Sequence, residues 1–197
     1  QALQQQPDAH EARVIDAEVL MALGQQAHWA SERPAAVEML RLADVAIGEA
    51  LEFARSDPLL HRRRCEVASL RYEAMAEGAH SRQALLDDVK TGLATCQQAL
   101  RVQPDAAATH AALAQLLGNR AKIERITGGD AVTTLRQALA SAGTAVDLGT
   151  RRHTATCFAC ADNADAARAA RMLALLNMRL STTLRWSGQS APDLTET

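Results

Sequence analysis

The amino-acid sequence predicts an all-α fold, built as a solenoid of stacked helical hairpins. Alanine and leucine supply a third of the 197 residues, whereas the chain has only two Trp, one Tyr and two Phe, a balance that favours helices over strands. A short phrase also recurs at a nearly constant interval, and each interval holds two signals for the start of a helix. These observations exclude an all-β fold and predict about three long hairpins followed by a C-terminal capping helix.

The recurring phrase is an Ala-Leu pair followed within a few residues by proline. It begins at Ala2, Ala50 and Ala99, with a degenerate fourth copy at Ala145, so the steps are 48, 49 and 46 residues. One amphipathic hairpin cannot bury its apolar face alone, but stacked hairpins can. The steps therefore predict a single repeat domain. It comprises repeats over about 8–56, 58–103 and 105–148 and a cap over 150–187, within a domain of 1–187 followed by a flexible tail over 188–197.

The first hairpin is predicted to pair helices over 8–29 and 32–56. Asp8 offers a side-chain oxygen to the amides of a first helical turn, and Glu11 follows at the spacing of a capping box. The second helix is expected to begin at Ser31, shortly before a proline whose fixed φ suits a first turn.

The second hairpin is predicted to pair helices over 58–78 and 81–103. Asp57 stands directly before a proline, and Ser81 follows a Glu-Gly pair. Both are residue types that accept hydrogen bonds from a helix N-terminus.

The third hairpin is predicted to pair helices over 105–127 and 130–148. Asp105 follows a proline and Asp130 follows two glycines, and each marks a helix start. A further helix is predicted over 163–187, and residues 150–161 are expected to be helical as well.

Small residues at helical spacing mark one packing face on each second helix. These are Ala43, Ile47 and Ala50; Gly92, Cys96 and Ala99; and Ala138, Ala142 and Ala145. The pattern resembles the tetratricopeptide repeat family, whose second helix carries a small, a larger apolar and a small residue. The family repeats at 34 residues, so the longer period here predicts helices with about one and a half extra turns each. Long Ala-Leu-rich repeats of this kind resemble those C-terminal to kinase domains in some bacterial serine/threonine protein kinases.

The resemblance implies a non-catalytic interaction or scaffold module, the regulatory or partner-binding C-terminal part of such a kinase. The sequence has no Gly-rich phosphate loop, no His-Arg-Asp and no Asp-Phe-Gly, so the chain itself is not expected to be an enzyme. A small-molecule or metal sensing domain coupled to an attached catalytic domain is the alternative. A homodimer through exposed repeat ends is also open, because the first hairpin is expected to leave an apolar flank exposed.

The resemblance also implies that the first helices line a concave groove. The predicted groove residues are Glu11, Glu18, Arg62, Ser69, Tyr72, Glu73, Gln115, Asn119 and Lys122. Mixed charge with amide and hydroxyl groups suits an extended peptide or a partner helix.

One cluster has the residue types of a zinc site. His153, Cys157 and Cys160 share a helical face at positions i, i+4 and i+7, and imidazole with two thiolates is a plausible zinc set. Structural zinc normally takes its ligands from two separated elements, however, and no second pair exists. The packing of small thiols is the preferred interpretation, and no metal or cofactor is predicted.

Charge and composition exclude several other classes of protein. The net charge is −2, whereas a nucleic-acid module normally has a basic surplus on one face. No run of about 18 apolar residues exists to span a membrane. The four cysteines form no evident disulfide framework, which favours a reducing cytoplasm. The first residues contain neither an initiator Met nor a signal-peptide pattern, which predicts a segment of a longer protein.

Overall fold

The structure, a computed structural model, describes residues 7–78, 80–156 and 164–186, and all regular elements in those ranges are α-helices. The all-α class is therefore confirmed for the described part of the chain. The helices are α1 (Pro7–Trp29), α2 (Arg33–Phe53), α3 (Pro58–Ala76), α4 (Arg82–Val102), α5 (Ala107–Thr127), α6 (Ala131–Thr156) and α7 (Ala164–Trp186).

The predicted helix ends agree with the observed ones to within three residues, except at the end of α6. This helix continues to Thr156, through Gly149, which lies between the predicted third repeat and the predicted cap. A glycine in a helix interior costs only about 1 kcal/mol relative to alanine, so it does not end a helix by itself. The predicted helical segment over 150–161 thus belongs to α6 as far as Thr156, and its remainder lies outside the described residues.

Three predicted helix starts have the expected capping hydrogen bond. The Asp57 carboxylate accepts from the Leu59 amide at 2.8 Å, and the Ser81 hydroxyl accepts from the Ala84 amide at 3.2 Å. The third start, Asp130, is described with the third hairpin below. These short polar side chains satisfy amides that have no partner within the helix.

Two predicted starts are wrong. Ser31 adopts a left-handed φ of 63° in the turn before α2, and the N-cap residue of this helix is Glu32, whose side chain makes no capping hydrogen bond. Asp105 lies in a turn with the preceding proline, and α5 begins two residues later behind Ala106, which has no capping side chain. In both places the chain reverses direction first and enters the helix afterwards.

The chain divides into two compact units, one ending at Pro104 and the other beginning at Asp105. The division falls at the predicted junction between the second and third repeats. In the first unit α1 packs on α2, α2 on α3 and α3 on α4, and α1 also contacts α3. Because three- to five-residue connections join consecutive helices, these are two adjacent helical hairpins.

Helix α2 lies at the centre of the first unit. Its predicted small-residue face is buried, with Ala43, Ile47 and Ala50 at most 1% exposed. Close approach of α1 requires Gly24, because a Cβ there would lie 2.7 Å from Cγ of the fully buried Leu40. The backbones of α1 and α2 therefore meet at a position that admits no side chain.

A disulfide joins Cys65 of α3 to Cys96 of α4, with their Cα atoms 4.6 Å apart. This corrects the expectation that the cysteines form no disulfide framework. Position 96 is one of the predicted small packing positions, and packing of α3 on α4 brings position 65 opposite it. Disulfides are typical of oxidising compartments, so cysteine usage no longer supports a reducing cytoplasm.

The second unit contains the third hairpin and the final helix. Helix α5 packs on α6, and α7 packs on both. The predicted face of α6 is buried at Ala138, Ala142 and Ala145, all 0% exposed. The N-terminus of α6 is capped by Asp130, whose carboxylate accepts from the Thr133 amide at 3.0 Å.

Candidate interaction surfaces

The predicted groove residues of the first unit are divided between its surface and its core. Glu11 is exposed, and Glu18, Arg62 and Glu73 are partly buried. Arg62 lies 3.6 Å from Glu66 one turn along its own helix. These four side chains reach the surface and can contact a partner.

Three other predicted groove residues belong to the core, which corrects their assignment to an open surface. Ser69 and Tyr72 of α3 are 3% exposed, and Asn119 of α5 is 5% exposed. Among the described residues, neither the Ser69 hydroxyl nor the Asn119 Nδ2 has a hydrogen-bond partner. The family resemblance assigned these residues to the groove by their helical position alone, whereas neighbouring helices cover them in the structure. In the second unit, Gln115 is partly buried and Lys122 is exposed.

The space between α1, α2 and α3 in the first unit is nearly filled. The remaining gap has a volume of about 10 Å³, room for one water molecule at most. Arg63 closes it by donating to Glu18 of α1 at 2.7 Å and to Glu66 at 2.8 Å. Burial works against its charge, but Glu66 and Glu18 outweigh that effect and hold the pKa of Arg63 above its usual value. This gap is therefore too small to hold a ligand larger than water.

The densest basic run of the sequence, His-Arg-Arg-Arg at 61–64, is paired within the protein. The His61 ring lies in hydrogen-bond contact with the Arg55 carbonyl at 2.8 Å, and Arg64 donates to Asp44 of α2 at 2.8 Å. With Arg62 and Arg63 held by acidic partners, the run is neutralised locally. It does not form the free basic face that nucleic-acid binding requires.

A charged network ties α2, α3 and α4 together. Arg71 of α3 lies 2.6 Å from Asp88 of α4 and 3.6 Å from Asp44 of α2. Burial raises the pKa of Asp88, and the Arg71 guanidinium offsets part of that rise. Burial, followed by the charge of Asp88, also raises the pKa of Tyr72. Since these groups are largely enclosed, the network links α2, α3 and α4 and presents little to a partner.

An exposed aliphatic face follows α1, as expected for the first hairpin. Ile15, Val19 and Leu23 are 62%, 52% and 46% exposed. They stand at i, i+4 and i+8 and therefore share one side of the helix. The prediction named no residues for this flank, although the four-residue spacing in the sequence was a signal for it. We call these three residues the α1 aliphatic face.

Acidic side chains border this face. Helical geometry places Glu11 and Glu18 along one border and Asp16 along the other. The nearby Arg13 pairs with Glu49 of α2 at 2.9 Å and lies 3.9 Å from Asp16. The α1 aliphatic face thus combines exposed aliphatic side chains with negative borders.

The suggested zinc set cannot be assembled from the described residues. His153 lies in α6, and Cys157 and Cys160 lie outside the described part of the chain. Across residues 7–78, 80–156 and 164–186, no group of three or more His, Cys, Asp or Glu side chains is placed to hold a metal ion.

Comparison of the chain with known protein families, curated proteins and solved structures gives no match. The class of the protein is therefore defined by its helical architecture and surfaces. Among the described helices, none combines the length and apolar character needed to cross a bilayer.

Proposed function

We propose that the chain is a non-catalytic protein-interaction module that binds an amphipathic helix of a partner protein through the α1 aliphatic face. The observation that carries this proposal is the exposure of three aligned aliphatic side chains on one helix. Contiguous exposed apolar surface is typical of interaction sites, and apolar residues at helical spacing are how a second helix packs.

The borders of the face define the chemistry of the partner. Glu18 is already paired with Arg63, but Glu11 and Asp16 on opposite borders are acidic, so the complementary helix carries Lys or Arg beside its apolar stripe. Such charges add specificity and speed association more than they add affinity, and salt screens them. Binding should therefore slow as the ionic strength rises.

The proposal includes the tetratricopeptide-like superhelix and the attachment to a bacterial serine/threonine kinase that the sequence resemblance implies. Two adjacent hairpins with buried small-residue faces support the repeat architecture. In a protein of this kind, binding at α1 would serve to recruit a partner to the attached catalytic domain.

The test uses a synthetic amphipathic helix with a leucine face and lysine borders, together with a matched peptide that has glutamate borders. Fluorescence anisotropy with the full chain measures their affinities. We expect the lysine peptide to bind more tightly, and Val19→Arg to abolish its binding. Val45→Arg is the matched control, because Val45 is a valine of similar exposure on α2 (45% against 52% for Val19) and the substitution adds the same charge.

Sedimentation velocity of the unliganded chain shows whether a second copy of the chain already covers the α1 aliphatic face. A monomer that binds the lysine peptide supports the proposal. A dimer broken by Val19→Arg shows that the partner is a second copy of this chain instead. Absence of peptide binding in a monomeric protein would refute the assignment of the α1 aliphatic face as an interaction surface. Equal loss of peptide binding in Val19→Arg and Val45→Arg would refute it as well.

A further inference from the structure

A cleft of about 250 Å³ opens in the second unit, between α5 and α7. The buried residues of its lining are small or apolar: Gly118 and Ala121 of α5, and Leu135 of α6. Met178 of α7 also lines the cleft, and because this residue is 65% exposed it forms part of the open edge. The cleft therefore presents an apolar interior that is accessible from solvent.

The size of the cleft favours a single inserted side chain. One turn of an α-helix, about 10 Å across and 5.4 Å long, occupies more than about 400 Å³, which is larger than the cleft. The two walls also meet closely, because a Cβ at Gly118 would lie 2.7 Å from Cδ2 of Leu176. We therefore expect an extended segment that inserts one aliphatic side chain, and not a second helix.

The edge of the cleft favours an acidic residue next to that side chain. Arg125 of α5 lines the cleft and is exposed. Lys122 and Arg179 line it too, but each already has an interaction within the protein, so a carboxylate would meet Arg125 instead. Residues 105–186 contain ten Lys or Arg and six Asp or Glu, and this positive balance attracts an acidic segment.

The chain contains a segment of this chemistry directly after α7. Residues 187–197 include the predicted flexible tail and lie outside the described residues. Their sequence has two acidic residues, Asp193 and Glu196, and no basic residue. The only leucine of the segment, Leu194, stands between the two acidic residues. An aliphatic side chain with acidic neighbours is what the cleft requires.

The segment is long enough to reach the cleft. Thr183 lines the cleft and lies three residues before the end of α7 at Trp186, which is about 4.5 Å along the helix axis. The eight residues from Trp186 to Leu194 span up to about 27 Å when extended. Gly188 is a residue type that lets a chain reverse direction after a helix. The length of chain therefore permits Leu194 to return to the cleft.

We propose that Leu194 of the chain's own C-terminal segment inserts into the cleft between α5 and α7, with an acidic neighbour paired to Arg125. One apolar side chain and one exposed ion pair hold the segment, and its ordering costs entropy, so a free peptide of this sequence has a Kd on the order of 0.1 mM. The contact closes the cleft from within the same chain, and a partner of similar chemistry must displace it. The contact belongs to the second unit and is independent of the α1 aliphatic face.

Fluorescence anisotropy of a labelled peptide with the sequence of residues 187–197 tests this docking on the full chain. A tethered segment reaches an effective concentration of about 1 mM, so the wild-type chain should bind the peptide about tenfold more weakly than the Leu194→Ser chain does. A peptide that itself carries Leu194→Ser should bind neither chain.

Variants of the cleft, made in the Leu194→Ser chain, locate the binding site. Met178→Glu should weaken binding of the wild-type peptide at least tenfold. Ile126→Glu is the matched control, because Ile126 is equally exposed (66%) on α5, does not line the cleft, and receives the same charge. Both substituted residues are exposed, so the fold should be preserved, and circular dichroism checks this.

Several results would overturn the proposal. If the Leu194→Ser chain does not bind the peptide, the cleft does not accept this segment. Equal affinities of the wild-type and Leu194→Ser chains would show that the tethered segment does not occupy the cleft. Equal weakening by Met178→Glu and Ile126→Glu would place the peptide elsewhere. A wild-type dimer that Leu194→Ser converts to a monomer would show that the segment docks on a neighbouring copy instead.

Discussion

Breaking the Cys65–Cys96 disulfide should destabilise the first unit by several kcal/mol. The bond links positions 31 residues apart and so closes a loop of 32 residues in the unfolded chain. In the chain-entropy model, a loop of this size lowers the free energy of folding by about 3.7 kcal/mol at 25 °C. Both cysteines are fully buried, and reduction removes no heavy atom, so the loss of the cross-link is the main effect.

Hydrogen exchange measured by mass spectrometry, with and without a reductant, isolates this effect. The free energy of opening for peptides of α3 and α4 should fall by about 3.7 kcal/mol on reduction. Peptides of α5 and α6 belong to the other unit and serve as the internal control. They should keep their protection.

A second measurement checks the bond itself. Cys65 and Cys96 should resist alkylation in the unfolded chain until a reductant is added. Alkylation of both without reductant, or a change of less than about 1 kcal/mol in the protection of α3 and α4, would refute this reasoning. The double variant Cys65→Ala/Cys96→Ala should reproduce the reduced state, with an added loss from the missing sulfur atoms.

Three further predictions concern packing and pH. Gly24→Ala should destabilise the first unit by up to about 2 kcal/mol, because overpacking against Leu40 exceeds the gain in helix propensity. Gly143→Ala, where a Cβ would have no atom within 4 Å, should instead stabilise the second unit by up to about 1 kcal/mol. Urea denaturation measures both changes, and equal effects would contradict the close contact of Gly24 with Leu40. The pKa of Asp88 is raised by burial, so the contribution of this carboxyl group to stability is present below its unfolded pKa of 3.8 and is lost as the pH rises through the folded pKa. Asp88→Asn should remove this pH dependence. An unchanged pH profile of urea denaturation in the variant would refute the prediction. The pKa of Asp130 is lowered by hydrogen bonds from the first turn of α6, so Asp130→Ala should destabilise the protein above pH 3.8. The difference in stability between the variant and the wild type should shrink as the pH falls through the lowered pKa. A constant difference in thermal unfolding temperature across that pH range would exclude the carboxylate as the helix cap.

The helices and most of their boundaries could be predicted because their causes are local. Asp57 and Ser81 cap the helices that follow them, and the period of apolar residues marks the buried face of α2. Each of these effects depends on residues within a few positions of one another. The errors at Ser31 and Asp105 arose where a turn competes with a cap for the same residue types.

The surfaces could be predicted less well, because exposure depends on which helices meet. The spacing of Ile15, Val19 and Leu23 shows that they share a side of α1, but not that this side lacks a neighbour. In the same way, Tyr72 and Asn119 occupied positions suited to a groove and proved to be covered.

The sequence by itself thus determined the helical class, the repeat-like spacing and the faces that pack, because propensity and periodicity act along the chain. Only the tertiary structure decided that Cys65 meets Cys96, that the gap behind α1 is too small for a ligand, and that Gly118 of α5 meets Leu176 of α7 at a position with no room for a side chain. Each of these is a contact between residues far apart in sequence, and its distance is set by how helix backbones pack rather than by any local preference.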